Sequence, residues 1–167
     1  MSCTQTLTGI TRDCLPNVGG IAKVWLANFS KVASITESSG AITAITMSGS
    51  EKFKEYQFAR NTASLSSNYA VNAENGTSYV ESDLVMVFNR MDTAKRLEIV
   101  AMAQGELVAI VEDNNGTKWF LGHDNPITLS AGDGLTGTAR ADRNGYSATL
   151  HDESAELPFP FTGTVPV

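Results

Sequence analysis

Three observations in this sequence predict a mostly β domain with one helix and one long hairpin. Apolar and polar residues alternate with a period of two through long stretches, as in half-buried strands. Turn clusters built on Asn-Gly (ENGT, DNNG, DRNG) recur between those stretches. A single segment, MDTAKRLEIVAMAQGEL, carries helix start and stop signals instead.

Taken in order, residues 1–20 form an N-terminal arm that ends in the breaker cluster PNVGG. IAKVWLANF (21–29) reads as a strand. AITAITM (41–47) is a second, rich in β-branched residues, set off by SSG from a polar segment before it. Residues 52–90 read as two long antiparallel strands joined by an extended, polar, mobile tip at about 61–77. In the first of these strands Tyr56 and Phe58 share a face with Lys54 and Arg60, opposite Glu55, Gln57, Ala59 and Asn61. In the second, Val80, Leu84, Met86 and Phe88 oppose Tyr79, Glu81, Asp83, Val85, Val87 and Asn89. Asn75-Gly76 supplies the turn, since both positions tolerate positive φ.

The helix spans about 93–104. Asp92 or Thr93 caps its start, Gly105 ends it in the left-handed region, and Leu97 and Val100 give it an apolar side. ELVAIVEDNNGTKWFLG and TGTARADRNGYSATLHD each read as strand, turn, strand. The end, residues 155–167, carries three prolines and reads as an extended tail rather than a central strand. The whole chain, 1–167, is expected to form one domain.

Composition narrows the function. Apolar residues make up 42% and charged residues 18%, ordinary values for a globular protein. The net charge of −6 argues against a dedicated nucleic-acid binder, though not against a protein that lets nucleic acid pass without sticking. No apolar run reaches the length of a membrane helix, and MSCTQTLTGITRDC does not read as a secretory signal. Cys3 and Cys14 are expected to be free thiols. His123 and His151 lie far from any metal-ligand spacing, so neither metal nor cofactor is expected.

One motif could carry chemistry. Gly132, Gly134 and Gly137 match G-x-G-x-x-G. A dinucleotide fingerprint needs a helix to begin at those glycines, so that its free N–H groups meet the pyrophosphate. Here a short alternating run and a hairpin turn come next, so the glycines are expected to bend a strand. There is no Walker A sequence and no G-x-S-x-G elbow. The DNNG loop lacks the first acid of a calcium loop, with Val111 in its place. His123 reads as a surface residue at a strand end. Without a catalytic constellation, the sequence is expected to encode a structural module, not an enzyme.

The order of elements resembles the tail-tube proteins of long-tailed bacteriophages and the inner-tube proteins of contractile injection machines. The resemblance rests on DCLPNVGGIAKVWLANF, the long pair 52–90, the helix 93–104, VAIVEDNNGTKWFLGHD and GLTGTARADRNGYSATL. The wording is similar to tube proteins of phages that infect Bacteroidetes-type hosts. The resemblance implies a β-sandwich that closes as a small barrel with one flanking helix. It also implies a long hairpin that pairs with neighbours, so that hexameric rings stack into a tube for DNA ejection. Its partners would be further copies of itself, the tape-measure protein, and terminator or baseplate proteins. DNA would pass transiently and unbound, with no membrane involved. The chain would assemble in the host cytoplasm and reside in the virion tail.

Residue roles derive from that resemblance and from the alternation. Glu55, Gln57, Asn61, Tyr79, Glu81, Asp83 and Asn89 are expected to face the lumen. The tip residues Ser64, Leu65, Ser66, Ser67, Asn68, Tyr69, Ala70, Val71, Asn72, Ala73, Glu74 and Asn75 are expected to form a loop that contacts the next subunit or ring. Tyr56, Phe58, Leu84, Met86, Phe88, Leu97, Val100 and Trp119 are expected in the core. Two other readings fit the same composition. One is a tail terminator or connector, which stops at one ring. The other is a carbohydrate-binding β-sandwich, for which Trp25, Trp119, Tyr69 and Tyr146 are the candidate aromatics.

Overall fold

The computed structural model describes residues 5–167, so Cys3 lies outside the described residues. The chain builds a β-sandwich with one flanking helix. Its elements are β1 (Ile21–Asn28), β2 (Val32–Ser38), β3 (Ala41–Met47), β4 (Lys54–Tyr56), β5 (Ser64–Asn72) and β6 (Thr77–Asn89), followed by α1 (Thr93–Gln104). Then come β7 (Leu107–Asp113), β8 (Lys118–Leu121), β9 (Thr128–Leu135), β10 (Gly145–Ser154) and β11 (Phe159–Phe161). One sheet has the order β2-β3-β11-β8-β7-β1-β4 and the other β5-β6-β10-β9.

The centre of the larger sheet is buried on both faces. In β7, LVAIV is buried at every position. Leu107, Ala109 and Val111 face the smaller sheet, where they meet Leu84, Met86, Phe88 and Leu150. Val108 and Ile110 face away, into a second core with Trp25, Ile42, Phe120 and Phe161. Such two-sided burial explains the unbroken apolar run, because alternation disappears when both faces are dry. The sheet also curls. His123, just past β8, hydrogen-bonds Glu37 of β2, although β11 and β3 lie between those strands. In a flat sheet three strand steps would span about 14 Å.

Several expectations need correction. Residues 53–60 do not pair with the 79–89 strand. Only β4 forms there, and it pairs with β1 (Val24 opposite Tyr56) in the larger sheet. The true partner of β6 is β5, in unbroken register from Ser64–Val85 to Asn72–Thr77. Ser64 to Asn72 are therefore strand residues and not a loop. Only Ala73 to Gly76 turn, with Asn72 Oδ1 accepting from the backbone N–H groups of Glu74 and Asn75. Alternation assigns faces to a strand but does not choose its partner. The Ser- and Asn-rich β5 hid its period behind polar side chains.

The helix spans the predicted residues, and Asp92 caps it by accepting from Lys95 N–H. Lys95 also holds the Asp92 carboxyl below its usual range. Leu97 and Val100 are not core residues, being 56% and 39% exposed. Ile99 and Met102, three apart on one stripe, pack on the sandwich instead, and Leu97 lies on the far side of the helix. Gly105 is extended (φ −100°, ψ 156°), not left-handed. Trp119 is only half-buried, donating its indole N–H to Asp113, while its neighbour Phe120 fills the core. Tyr56 and Phe58 are partly buried against the core that encloses Leu84, Met86 and Phe88.

The tail is not peripheral. β11, with Pro160 at its centre, sits between β3 and β8 inside the larger sheet. A central proline is tolerable because the strand is three residues long and meets β3 through a single pair, Phe161–Ile42. A further strand, β2, occupies the polar segment ahead of AITAITM.

Candidate functional site

The G-x-G-x-x-G residues behave as strand and turn glycines. Gly132 and Gly134 lie within β9, and a Cβ on Gly134 would meet the Tyr146 ring at 2.9 Å. Gly137 has φ +70° and turns the chain toward β10, with no helix after it.

The surface that stands out is the outer face of the four-stranded sheet. No lysine or arginine occurs in any of its strands, SLSSNYAVN, TSYVESDLVMVFN, TLSAGDGL and GYSATLHDES. The register aligns its outward residues across the strands. Asp83 lies beside Ser66 and His151, Glu81 beside Asn68 and Glu153, and Val85 beside Ser64 and Thr149. Asp133 lies beside Ser147. Tyr79, Glu81, Asp83 and Asn89 thus share one outward face, together with Val85 and Val87. Glu55 and Gln57 do not belong to this face, because β4 is in the other sheet, and Asn61 sits at positive φ in the link between the sheets.

Charge on this face is organised by the acids. Asp83 accepts from, or pairs with, His151 Nδ1 at 2.7 Å, and Glu153 lies 3.5 Å from Nε2. Asp83 foremost holds the imidazole above its usual pKa, against a smaller effect of burial. Tyr79 donates to Glu81, which raises its phenol. Arg143, from the loop before β10, reaches Asp133 at 2.9 Å. On the inner face Asp152 is only 3% exposed, and its Oδ1 has no hydrogen-bond partner. Burial pushes its pKa up to about 6.

The four sheet edges differ in how they are defended. The β2 edge carries two register shifts and Glu37. The β4 edge is three residues long and includes Lys54 and Glu55. The β9 edge has a register shift, two glycines and Asp133. By contrast β5 runs nine residues without a charge, proline, glycine or bulge. Edge strands are normally blunted by those very devices. The β5–β6 hairpin also overhangs the sandwich. The β10 ladder ends at Ser154–Val80; Tyr69 opposite Val80, and Val71 and Tyr79 beyond it, are exposed.

No protein-family model, curated protein or solved structure matches this chain. The site must therefore be read from its own geometry. Sequence reasoning found the outward face of β6 but missed that β5 and β10 extend it. The signal was available in the absence of lysine and arginine from all four strands. Among the described residues, no helix is long and apolar enough to cross a membrane.

Proposed function

We propose that this chain is a structural subunit that assembles with copies of itself into closed rings, which stack as the tube of a phage tail. The observation that carries the reading is the four-stranded sheet itself, with an acidic outer face, no lysine or arginine in its strands, and an undefended edge at β5. The β5 edge of one copy pairs with the β9 edge of the next, and ring closure removes both free edges. Six copies contribute four strands each. At normal strand spacing and tilt the resulting barrel is about 45–50 Å across its backbone. The outer face of the sheet becomes the lumen wall.

The chemistry suits a conduit. Glu81, Asp83, Asp133 and Glu153 repel phosphates, so DNA slides past without a binding minimum. That repulsion acts within about 8 Å at physiological salt, which confines it to the wall. The overhanging tip, Tyr69 to Tyr79, projects along the axis to meet the next ring. The tape-measure protein and the terminator or baseplate proteins bound the tube, which is built in the host cytoplasm and ends in the virion.

Negative-stain electron microscopy of the purified protein across a concentration series tests this reading. Long uniform tubes are the expected result. Single closed rings would move the assignment to a terminator or connector. Monomers at every concentration would sink it and turn attention to a glycan-binding screen.

A further inference from the structure

Two apolar surfaces of this chain are open in the isolated subunit, one fully and one in part. The first is the N-terminal arm. Residues 5–20 form no strand or helix and are exposed throughout, with Leu7 91%, Ile10 101% and Leu15 75% accessible. Large apolar side chains at that exposure are unfavourable, each forgoing about 1.5–3 kcal/mol of burial. The arm is nevertheless not loose at its root. Val18 N–H donates to Asn115 Oδ1, Asn115 Nδ2 donates to Asn17 Oδ1, and Asn114 Nδ2 donates to the Gly19 carbonyl. The DNNG turn thus fixes where the arm leaves the body, and the segment beyond has nothing of its own subunit against it.

The second surface lies beside α1. A groove of about 400 Å³ runs between the helix and β4, floored by Tyr56, Phe88, Ile99 and Met102, with Lys54 and Glu98 on its rim. Tyr56 donates to Glu98 across it at 2.7 Å, which holds both rim and floor in place. Leu97 and Val100 lie exposed on the opposite side of the helix, away from the groove. The helix thus shows apolar residues on more of its surface than its own sandwich covers.

We infer that the N-terminal arm of one copy docks in the α1–β4 groove of another. Three observations select a second copy as the source of the occupant. The arm is exposed throughout and does not lie in its own groove, and every subunit carries one such arm and one part-open groove, so an exchange between copies satisfies both in equal number. Residues 5–16 can span at most about 40 Å, comparable with the diameter expected for a folded domain of this length. The arm therefore reaches across a neighbour rather than only to its rim. Its apolar residues are interrupted by threonines and Gly9, a composition suited to lying extended on a surface. The groove is built from β4, Phe88 and α1 and not from the β5 edge, although the root of the arm borders Ser64 and Leu65 at the start of β5.

Disulfide trapping tests it, because Cys14 already sits exposed in the arm. In a Cys3→Ser background, Ala94→Cys places a thiol at the groove, and Ala139→Cys places a control thiol on the exposed loop before β10. Two sulfurs join only when their Cα atoms come within about 7 Å. Mild oxidation of the Ala94→Cys protein is expected to give covalent dimers and higher species on non-reducing gels, at least about tenfold above the control. Only an intramolecular bond, or no bond above the control level, would overturn the inference. Leu7→Ser with Ile10→Ser and Leu15→Ser, all exposed in the monomer, is expected to leave unfolding unchanged and to weaken self-association about tenfold or more. Unchanged self-association of that triple variant would also overturn it. Intermolecular bonds in a protein that forms no tubes would leave the arm contact standing and remove only the tail-tube reading.

Discussion

The two sheets of this sandwich solve opposite problems. The seven-stranded sheet is dry on both faces at its centre, curls on itself, and has edges shortened, bulged or charged. The four-stranded sheet is dry on one face only, has an acidic outer surface, and leaves β5 unguarded. The first has the features of a sheet selected for stability. The second leaves open a surface that stability alone would close. The contrast teaches where to look for function in this chain: at the edge and face that lack the usual protection.

The largest expected effect lies in the first sheet. Ile110→Ala, at the fully buried centre of β7, is expected to cost about 2–5 kcal/mol, read as a drop in the urea midpoint. A loss below about 0.5 kcal/mol would mean that the second core is not where the stability resides.

Next comes the buried carboxyl of the second sheet. Asp152 has a folded pKa of about 6 against an ordinary 3.8, so the folded state favours its protonated form. Whatever stability the protonated group lends is complete below about pH 3.8 and is lost as pH rises through 6. Asp152→Asn removes that loss. It is expected to gain up to about 3 kcal/mol at pH 7 relative to its own difference from wild type at pH 4, with chemical denaturation at several pH values as the check. Equal differences at pH 4 and pH 7 would mean that the carboxyl is ionised in the folded protein at little cost.

Smaller still is the effect of the salt-bridged imidazole on the outer face. Its folded pKa is raised by Asp83, so its contribution is complete below the ordinary 6.5 and is lost as pH rises through the raised folded value. Asp83→Asn is expected to lower the His151 pKa toward the ordinary value, seen directly by NMR titration of the ring. A ring that titrates as before would show that Glu153 and not Asp83 sets it.

The smallest effect on stability should accompany the largest on assembly. Ser66→Lys with Asn68→Lys puts two charges on the exposed β5 strand, and unfolding should change by no more than about 0.5 kcal/mol. Ring and tube formation should disappear, as judged by light scattering and microscopy. Normal tubes from this double variant would show that the β5 edge is not the pairing surface.

Much of this was legible in the residues. The helix has its predicted ends because Asp92 and the change of period from two to about 3.6 mark it locally. The burial of Leu84, Met86 and Phe88 agrees with strict alternation in a long strand. The glycine triplet is legible as strand and turn because the short run and DRNG turn after Gly137 leave no room for a helix. Leu97, Val100 and Trp119 were misplaced because apolarity states a preference for cover without stating whether this subunit supplies it. The 53–60 run was paired with the wrong strand for a related reason, since a period of two fits any partner in either sheet.

By itself, the sequence determined the local terms: which segments alternate, where the helix is capped, where Asn-Gly and glycine turns fall, and that four strands carry no lysine or arginine. These depend on neighbours within a few residues, where backbone preferences and side-chain spacing act directly. Tertiary structure alone decided which strands pair, that Pro160 lies inside a sheet, that Asp152 is buried, and that β5 and the arm are left bare. Those outcomes depend on which distant surfaces meet, and hydrophobic burial is non-directional: it demands cover without naming the partner.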